Sequence, residues 1–325
     1  MKQFKVGKKA VKAAVLLCLL AVIVVVCVVV LMGNDSDTAD SDLSEPKAES
    51  SQNTAKQANT EEEQDMKTTE EQKKPEKETI EWNPDWEYAD HSKIHTGSAV
   101  LYYSQAEDLK DKVICINAGH GTEGGSSEST LCHPDGSPKV TGGSTSEGAV
   151  TATAINEGTT LLNGTSEAEM NLRVAKLVKT KLLEEGFHVL MIRESDDVQL
   201  DNIARTVIAN NHADCHISIH YDSTENDKGA FFISVPENES YRSMEPVASH
   251  WEEHNALGQA LIERMEEEGV PIYSSGSMAI DLTQTSYSTI PSVDLEVGDR
   301  GSSTSDETLE TIASGIAAGV SSYFK

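Results

Sequence analysis

Four residues stand where side chains could do chemistry together: His120, Glu167, His220 and Glu296. The apolar run in VICINAGHGTEGG (113–125) stops at Gly119-His120-Gly121, and that in ADCHISIHYDS (213–223) stops at His220. Both runs read as strands. In an open α/β sheet the carboxyl ends of strands border the ligand crevice, so two imidazoles placed there can converge. Glu167 opens a helical pattern after a loop and offers an oxygen donor. Two His and one Glu with an open fourth position form a recognised catalytic zinc arrangement. TIPSVDLEVG (289–298) then carries Glu296 at the end of another apolar strand, where burying a carboxylate is costly unless it has a partner or a task.

Each assignment has a competitor. His216 shares a strand face with His220, and either could be the ligand. Glu169 competes with Glu167, although its spacing from Ser166 suits a capping box. His250-Trp251-Glu252-Glu253-His254 satisfies H-x-x-E-H, the inverted zinc-peptidase spacing, within a helix so acidic that a solvated charged face explains it better. Cys132-His133 could form a stray metal site, but it falls in a Gly, Ser and Thr-rich stretch, 121–166, that reads better as a plain surface loop and could lie over the cleft.

The elements that must position these groups follow from periodicity. Strand-like runs occupy 113–117, 187–192, 215–220, 230–235, 278–282 and 290–297; helical patterns cover 167–185, 200–211, 246–268 and 306–322. Their alternation predicts an α/β fold, a mostly parallel twisted sheet with helices on both faces. The clearest crossover is 166–193: Ser166 caps, Met170, Val174, Leu177, Val178 and Leu182 make one apolar face, and Gly186 ends the helix before the strand at Phe187.

The chain has 325 residues, so one domain leaves residues to spare. Five lysines in a basic segment (1–12) precede an uncharged run from Ala13 to Met32, long enough as a helix to cross about 30 Å of hydrocarbon. With no small-x-small cleavage site after it, this reads as a transmembrane signal-anchor, its basic flank in the cytoplasm and the remainder extracytoplasmic. Residues 33–79 are acidic and almost without large apolar side chains, which predicts a disordered tether. Around Trp82, Trp86 and Tyr88 a lead-in (80–109) is expected to pack against the main domain, 110–325. The formal charge is −28, of which residues 80–325 carry −25; such a body excludes nonspecific nucleic-acid binding. Cys115, Cys132 and Cys215 lie beyond the apolar run, an odd number without disulfide-scaffold spacing; Cys115 and Cys215 read as buried free thiols.

On strand-GHG at 113–121, Glu before an amphipathic helix at 167–182, GFHVLMIR at 186–193, the Asp201 to Asn211 helix with Arg205, SIH at 218–220 and PSVDLEVG at 291–298, the sequence resembles the zinc-dependent N-acetylmuramoyl-L-alanine amidases called Amidase_3. The resemblance covers about 110–325 and keeps the family's order. It implies one Zn2+ held by His120, Glu167 and His220, with Glu296 as acid/base, acting on peptidoglycan or muropeptides. A regulatory protein partner, or a catalytically silent wall-binding module on the same fold, is compatible with it. Asn117-Ala118 stand where the family usually has Asp-Pro, Thr122 replaces a common Gly, and Asp222 follows the second His where Asn is usual.

Overall fold

The computed structural model describes residues 76–325; the expected basic segment, membrane anchor and nearly all of the tether lie outside the described residues. Among the described residues no helix is long and apolar enough to cross a membrane. The strands are β1 (Lys77–Ile80), β2 (Ala99–Tyr102), β3 (Val113–Ala118), β4 (Ser129–Leu131), β5 (Thr151–Thr153), β6 (His188–Met191), β7 (Cys215–Asp222), β8 (Ala230–Ser234), β9 (Ile272–Ala279) and β10 (Ser292–Asp299). The main helices are α1 (Glu167–Glu184), α2 (Asn202–His212), α3 (Val247–Glu267), α4 (Thr283–Tyr287) and α5 (Asp306–Tyr323). Eight strands form one sheet in the order β1-β2-β6-β3-β7-β10-β8-β9, and β4 pairs with β5 as a separate hairpin.

The central strands β6, β3, β7 and β10 are parallel, while β2 and β8 join them antiparallel. Their apolar residues alternate between two cores. Ile114, Ile116, Ile217, Ile219, Val293 and Leu295 face α1, α3 and α5, where Met170, Val174, Leu261 and Ile316 cover them. Cys115, Leu190 and Ile192 face the opposite way, toward Ala204 and Ile208 of α2. Helix α1 therefore crosses one face to carry the chain from β3 to β6, and α2 crosses the other to carry it to β7. The sheet reverses direction of growth at β3, and the carboxyl ends of β3 and β7 open into a crevice there.

Local signals explain the two helices that frame this crevice. The Ser166 hydroxyl accepts the Glu169 N–H (3.2 Å), and Asp201 accepts the Ala204 N–H (2.8 Å), each satisfying a first-turn donor. The second carboxylate oxygen of Asp201 accepts from the backbone N–H of Lys93 and Ile94, which ties the lead-in to α2. Trp82 and Trp86 pack on both apolar patches of α2.

Several expectations need correction. The strand placed at 278–282 is β9, displaced to Ile272–Ala279, and 283–287 is helical. Its serines and exposed side chains leave no apolar alternation to read. Strands β1 and β2 were not anticipated, and β1 begins at Lys77, inside the segment expected to be tether. The stretch 121–166 is not a plain surface loop. Its Cys132, His133 and Lys139 are buried, and the carboxylate of buried Asp281 receives His133 Nε2 (3.1 Å), Lys139 Nζ (3.0 Å) and the Val140 N–H (2.7 Å). This ion cluster pins the segment onto the chain between β9 and α4.

Candidate metal centre

His120 sits in the turn after β3 with φ 62°, a left-handed conformation that aims its ring across the crevice. Gly119 precedes it for a steric reason: a Cβ there would fall inside the His220 imidazole. His120 Nδ1 is 2.9 Å from the Asn156 carbonyl oxygen, so Nδ1 carries the proton and donates it, leaving Nε2 with a free lone pair. That Nε2 lies 2.7 Å from Glu167 Oε1 and 3.1 Å from His220 Nδ1. His220 Nδ1 is 3.0 Å from the same Glu167 oxygen.

Glu167 opens α1, and its two oxygens have separate tasks. Oε2 accepts the Thr159 N–H (2.8 Å), while Oε1 faces both imidazoles. Gly158 makes room for this, since a Cβ on it would lie 2.6 Å from His120 Cδ2 and 2.9 Å from Glu167 Oε2. The end of the 121–166 segment thus steadies two of the three donors. Burial disfavours the Glu167 carboxylate, yet hydrogen bonds to His120 and His220 outweigh it and hold its pKa well below the usual range. Burial also opposes a charged His220, but Asp294 and then Glu167 overcome it and raise its pKa to about 10.

The donor set fits a zinc ion. One atom from each of His120, Glu167 and His220 lies within 4.8 Å of the others, two imidazole nitrogens and a carboxylate oxygen. Ligand atoms of a tetrahedral site with bonds of about 2.0–2.1 Å are roughly 3.3 Å apart, close to the triangle observed. Among the described residues this is the group of three or more His, Cys, Asp or Glu side chains arranged to hold a metal.

The loop carrying His120 is clasped from beneath by two buried guanidinium groups. Arg193 donates to the carbonyls of Ala118, Gly119, Ala168 and Ser195, and Arg205 to those of Leu200, Ala118 and His120 and to Asn117 Oδ1 and Thr122 Oγ1. Burial pulls their pKa values down to about 10 and about 9, so both remain charged at neutral pH. Two departures from the family pattern find a use here. Asn117 accepts from Arg205 and donates to Ser218 Oγ (2.8 Å), and Thr122 donates to the Val198 carbonyl while accepting from Arg205.

Glu296 lies opposite His220 in the β7–β10 register. Its Oε2 is buried without a hydrogen-bond partner. Burial, and then the negative charge of Asp294, push its pKa up to about 8. Such a carboxyl group can both take and return a proton near neutrality.

The sequence from 114 to 322 matches Amidase_3, described as N-acetylmuramoyl-L-alanine amidase. The chain belongs to that family. Among solved structures, the amidase resembles the apo form of the N-acetylmuramyl-L-alanine amidase Ami1 from Mycobacterium abscessus, at 18% identity and a TM-score of 0.53, over 67% of this chain and 100% of that one. Ami1 from Mycobacterium smegmatis is similar at 17% identity and a TM-score of 0.54, over 67% and 99%. These likenesses show a shared fold. No curated protein sequence matches the amidase.

The competing residues separate clearly. His216 is fully buried below the cluster with both ring nitrogens unpartnered, and burial drives its pKa down to about 3. Glu169 serves the α1 cap through its backbone. The H-x-x-E-H motif does not gather a metal site: His250 pairs with Glu253, while His254 is buried and accepts the Ser292 N–H at Nδ1 (3.0 Å). His133 is committed to Asp281. Sequence reasoning missed Asp294, although it lies two residues before Glu296 and so on the same strand face. It also missed the carbonyl of Asn156 and the N–H of Thr159, backbone groups that leave no mark on residue type.

Proposed function

We propose that the amidase is zinc-dependent and hydrolyses the amide between the lactyl group of N-acetylmuramic acid and L-alanine in peptidoglycan. The observation that carries the reading is the convergence of His120 Nε2, Glu167 Oε1 and His220 Nδ1 beside the buried carboxyl of Glu296. Bound by these three donors, zinc would supply Lewis acidity to the scissile carbonyl and lower the pKa of an attacking water. Glu296 takes the proton from that water and returns it to the leaving amine of L-alanine, so that the same carboxyl serves as base and then as acid. Arg193 and Arg205 hold the His120 turn still, and Thr159 fixes the Glu167 carboxylate in the orientation the site needs. Both roles reduce the reorganisation required during reaction.

The same reading places the enzyme at the cell envelope. The basic flank and apolar run of residues 1–32 support a single-pass membrane anchor with the catalytic domain outside. The decisive experiment digests purified peptidoglycan with the full chain, with and without a chelator, and identifies the products by mass spectrometry. Release of free L-alanine amino termini that stops on chelation and returns with zinc supports the proposal. Absence of cleavage, with no zinc found by metal analysis of the same protein, points to the silent wall-binding module, and cleavage elsewhere or insensitivity to chelation refutes the assignment.

A further inference from the structure

We propose that Asp294 is a positioning residue for His220: its carboxylate accepts a hydrogen bond from His220 Nε2–H, fixes the tautomer that presents Nδ1 to the metal, and thereby sets the affinity of the centre. The inference rests on the zinc reading above and concerns a residue to which that reading gives no role.

Three observations lead to it. In the parallel β7–β10 pairing Glu296 is level with His220 and Asp294 with Ser218, one step lower on the same face, so the strand presents two carboxylates to the imidazole rather than one. The ring of His220 is polarised between them and the cluster: Nδ1 faces His120 and Glu167, while Nε2 lies 3.7 Å from Asp294 Oδ2. Finally, Asp294 Oδ1 is buried and has no hydrogen-bond partner. The hydroxyl of neighbouring Ser218 is already given to Gln284 (2.6 Å), and the Gln284 amide donates to Ser292 Oγ and the Val293 carbonyl (both 3.0 Å).

The Asp294 side chain is only 17% exposed, an oxygen buried without a donor is expensive, and the His220 Nε2–H is a donor on the side of this carboxylate. A separation of 3.7 Å exceeds a true N–H···O hydrogen bond by about 0.7 Å, so the proposed bond requires the carboxylate to turn toward the ring. Metal-binding histidines characteristically donate their second N–H to a carboxylate or carbonyl, which fixes ring orientation and raises ligand basicity. Here the two imidazoles differ: His120 gives its second proton to a neutral carbonyl, Asn156, and His220 faces an anion. His220 becomes the more basic ligand. The division also frees Glu296, whose Oε2 has no partner, to handle the protons of the reaction.

The test measures zinc affinity by competition with a chromophoric chelator, on the full chain, for the parent protein, Asp294→Asn, Asp294→Leu and Glu296→Gln. The cobalt(II) absorption spectrum of each is recorded beside it. Loss of Asp294's carboxylate should weaken zinc by about 10–100-fold, more for Leu than for the isosteric Asn, which keeps an accepting oxygen. The cobalt bands should shift in both Asp294 variants, and Glu296→Gln should bind zinc as the parent does. Circular dichroism verifies folding; a misfolded Leu variant leaves Asn to decide. Parent-like affinity and spectrum in folded Asp294→Asn and Asp294→Leu would overturn this inference alone. A parent protein that binds no zinc would instead overturn the zinc reading, and this inference with it.

Discussion

Replacing His216 by Leu should remove a measurable part of the acid sensitivity of the fold. His216 is 0% exposed on the central strand β7, and neither ring nitrogen has a partner. Burial, then the nearby charges of Arg205 and His254, lower its pKa from 6.5 to about 3. In the unfolded chain the ring protonates as pH falls through 6.5, whereas the folded site takes up almost no proton until about pH 3. The unfolded state therefore binds more protons across this window, and stability contributed by the neutral buried ring is present above 6.5 and lost as pH falls toward 3. Integrated from about pH 7.5 to about pH 5, the loss is about 2 kcal/mol for this one residue. Leu has a similar volume and no titration, so the variant should match the parent to within ~1 kcal/mol near pH 7.5 and exceed it by about 2 kcal/mol near pH 5. Guanidinium denaturation followed by tryptophan fluorescence at both pH values gives the difference directly, because titrating groups common to both proteins cancel. Equal acid-induced losses in the two proteins would refute the argument that burial keeps His216 neutral.

The remaining expectations concern the site, the pinned segment and the surface. Glu296→Gln should retain zinc and lower turnover by roughly 10²–10⁴, whereas Glu167→Gln should weaken zinc itself; metal analysis alongside activity separates the two roles. His120→Ala or His220→Ala should abolish stoichiometric zinc, and the double change His250→Ala with His254→Ala should leave it in place; the reverse pattern would restore the peptidase reading. Asp281→Ala should destabilise by about 3–5 kcal/mol, read as a fall in denaturation midpoint, because it strands the buried Lys139 charge. Binding to phosphate-rich walls should rise as salt increases from low concentration, since the body carries −25 and screening relieves repulsion from polyanions; a fall would show net attraction.

Much of the sheet was legible because its central strands obey simple periods. VICINA, HISIH and SVDLEV alternate or run apolar, and Ser166 and Asp201 announce the starts of α1 and α2. The clustering of His120, Glu167 and His220 was legible because strand ends and a helix start collect at one edge of such a sheet. What stayed hidden depended on partners distant in sequence. Asp281 lies 142 residues from Lys139, so the polar segment around 132–141 looked solvated when it is held inside by opposite charge. Strand β9 and helix α4 are rich in Ser and Thr, and their place in the fold comes from neighbours rather than from their own pattern. Asn117 and Thr122 likewise looked like departures until Arg205 supplied their purpose.

The three thiols of the described region, Cys115, Cys132 and Cys215, are unpaired and no more than 1% exposed. Burial raises the pKa of each, so little reactive thiolate exists while the structure stays closed. Cys115 and Cys215 belong to the adjacent central strands β3 and β7, which can reach solvent only when the middle of the sheet opens. Oxidants and alkylating reagents therefore see a different molecule before and after folding. A nascent chain in an oxidising medium is in a race, because a crosslink or sulfenic acid formed at either strand would block the sheet from closing. Once closed, the same two sulfurs become a clock: their rate of modification counts how often the centre of the enzyme comes apart.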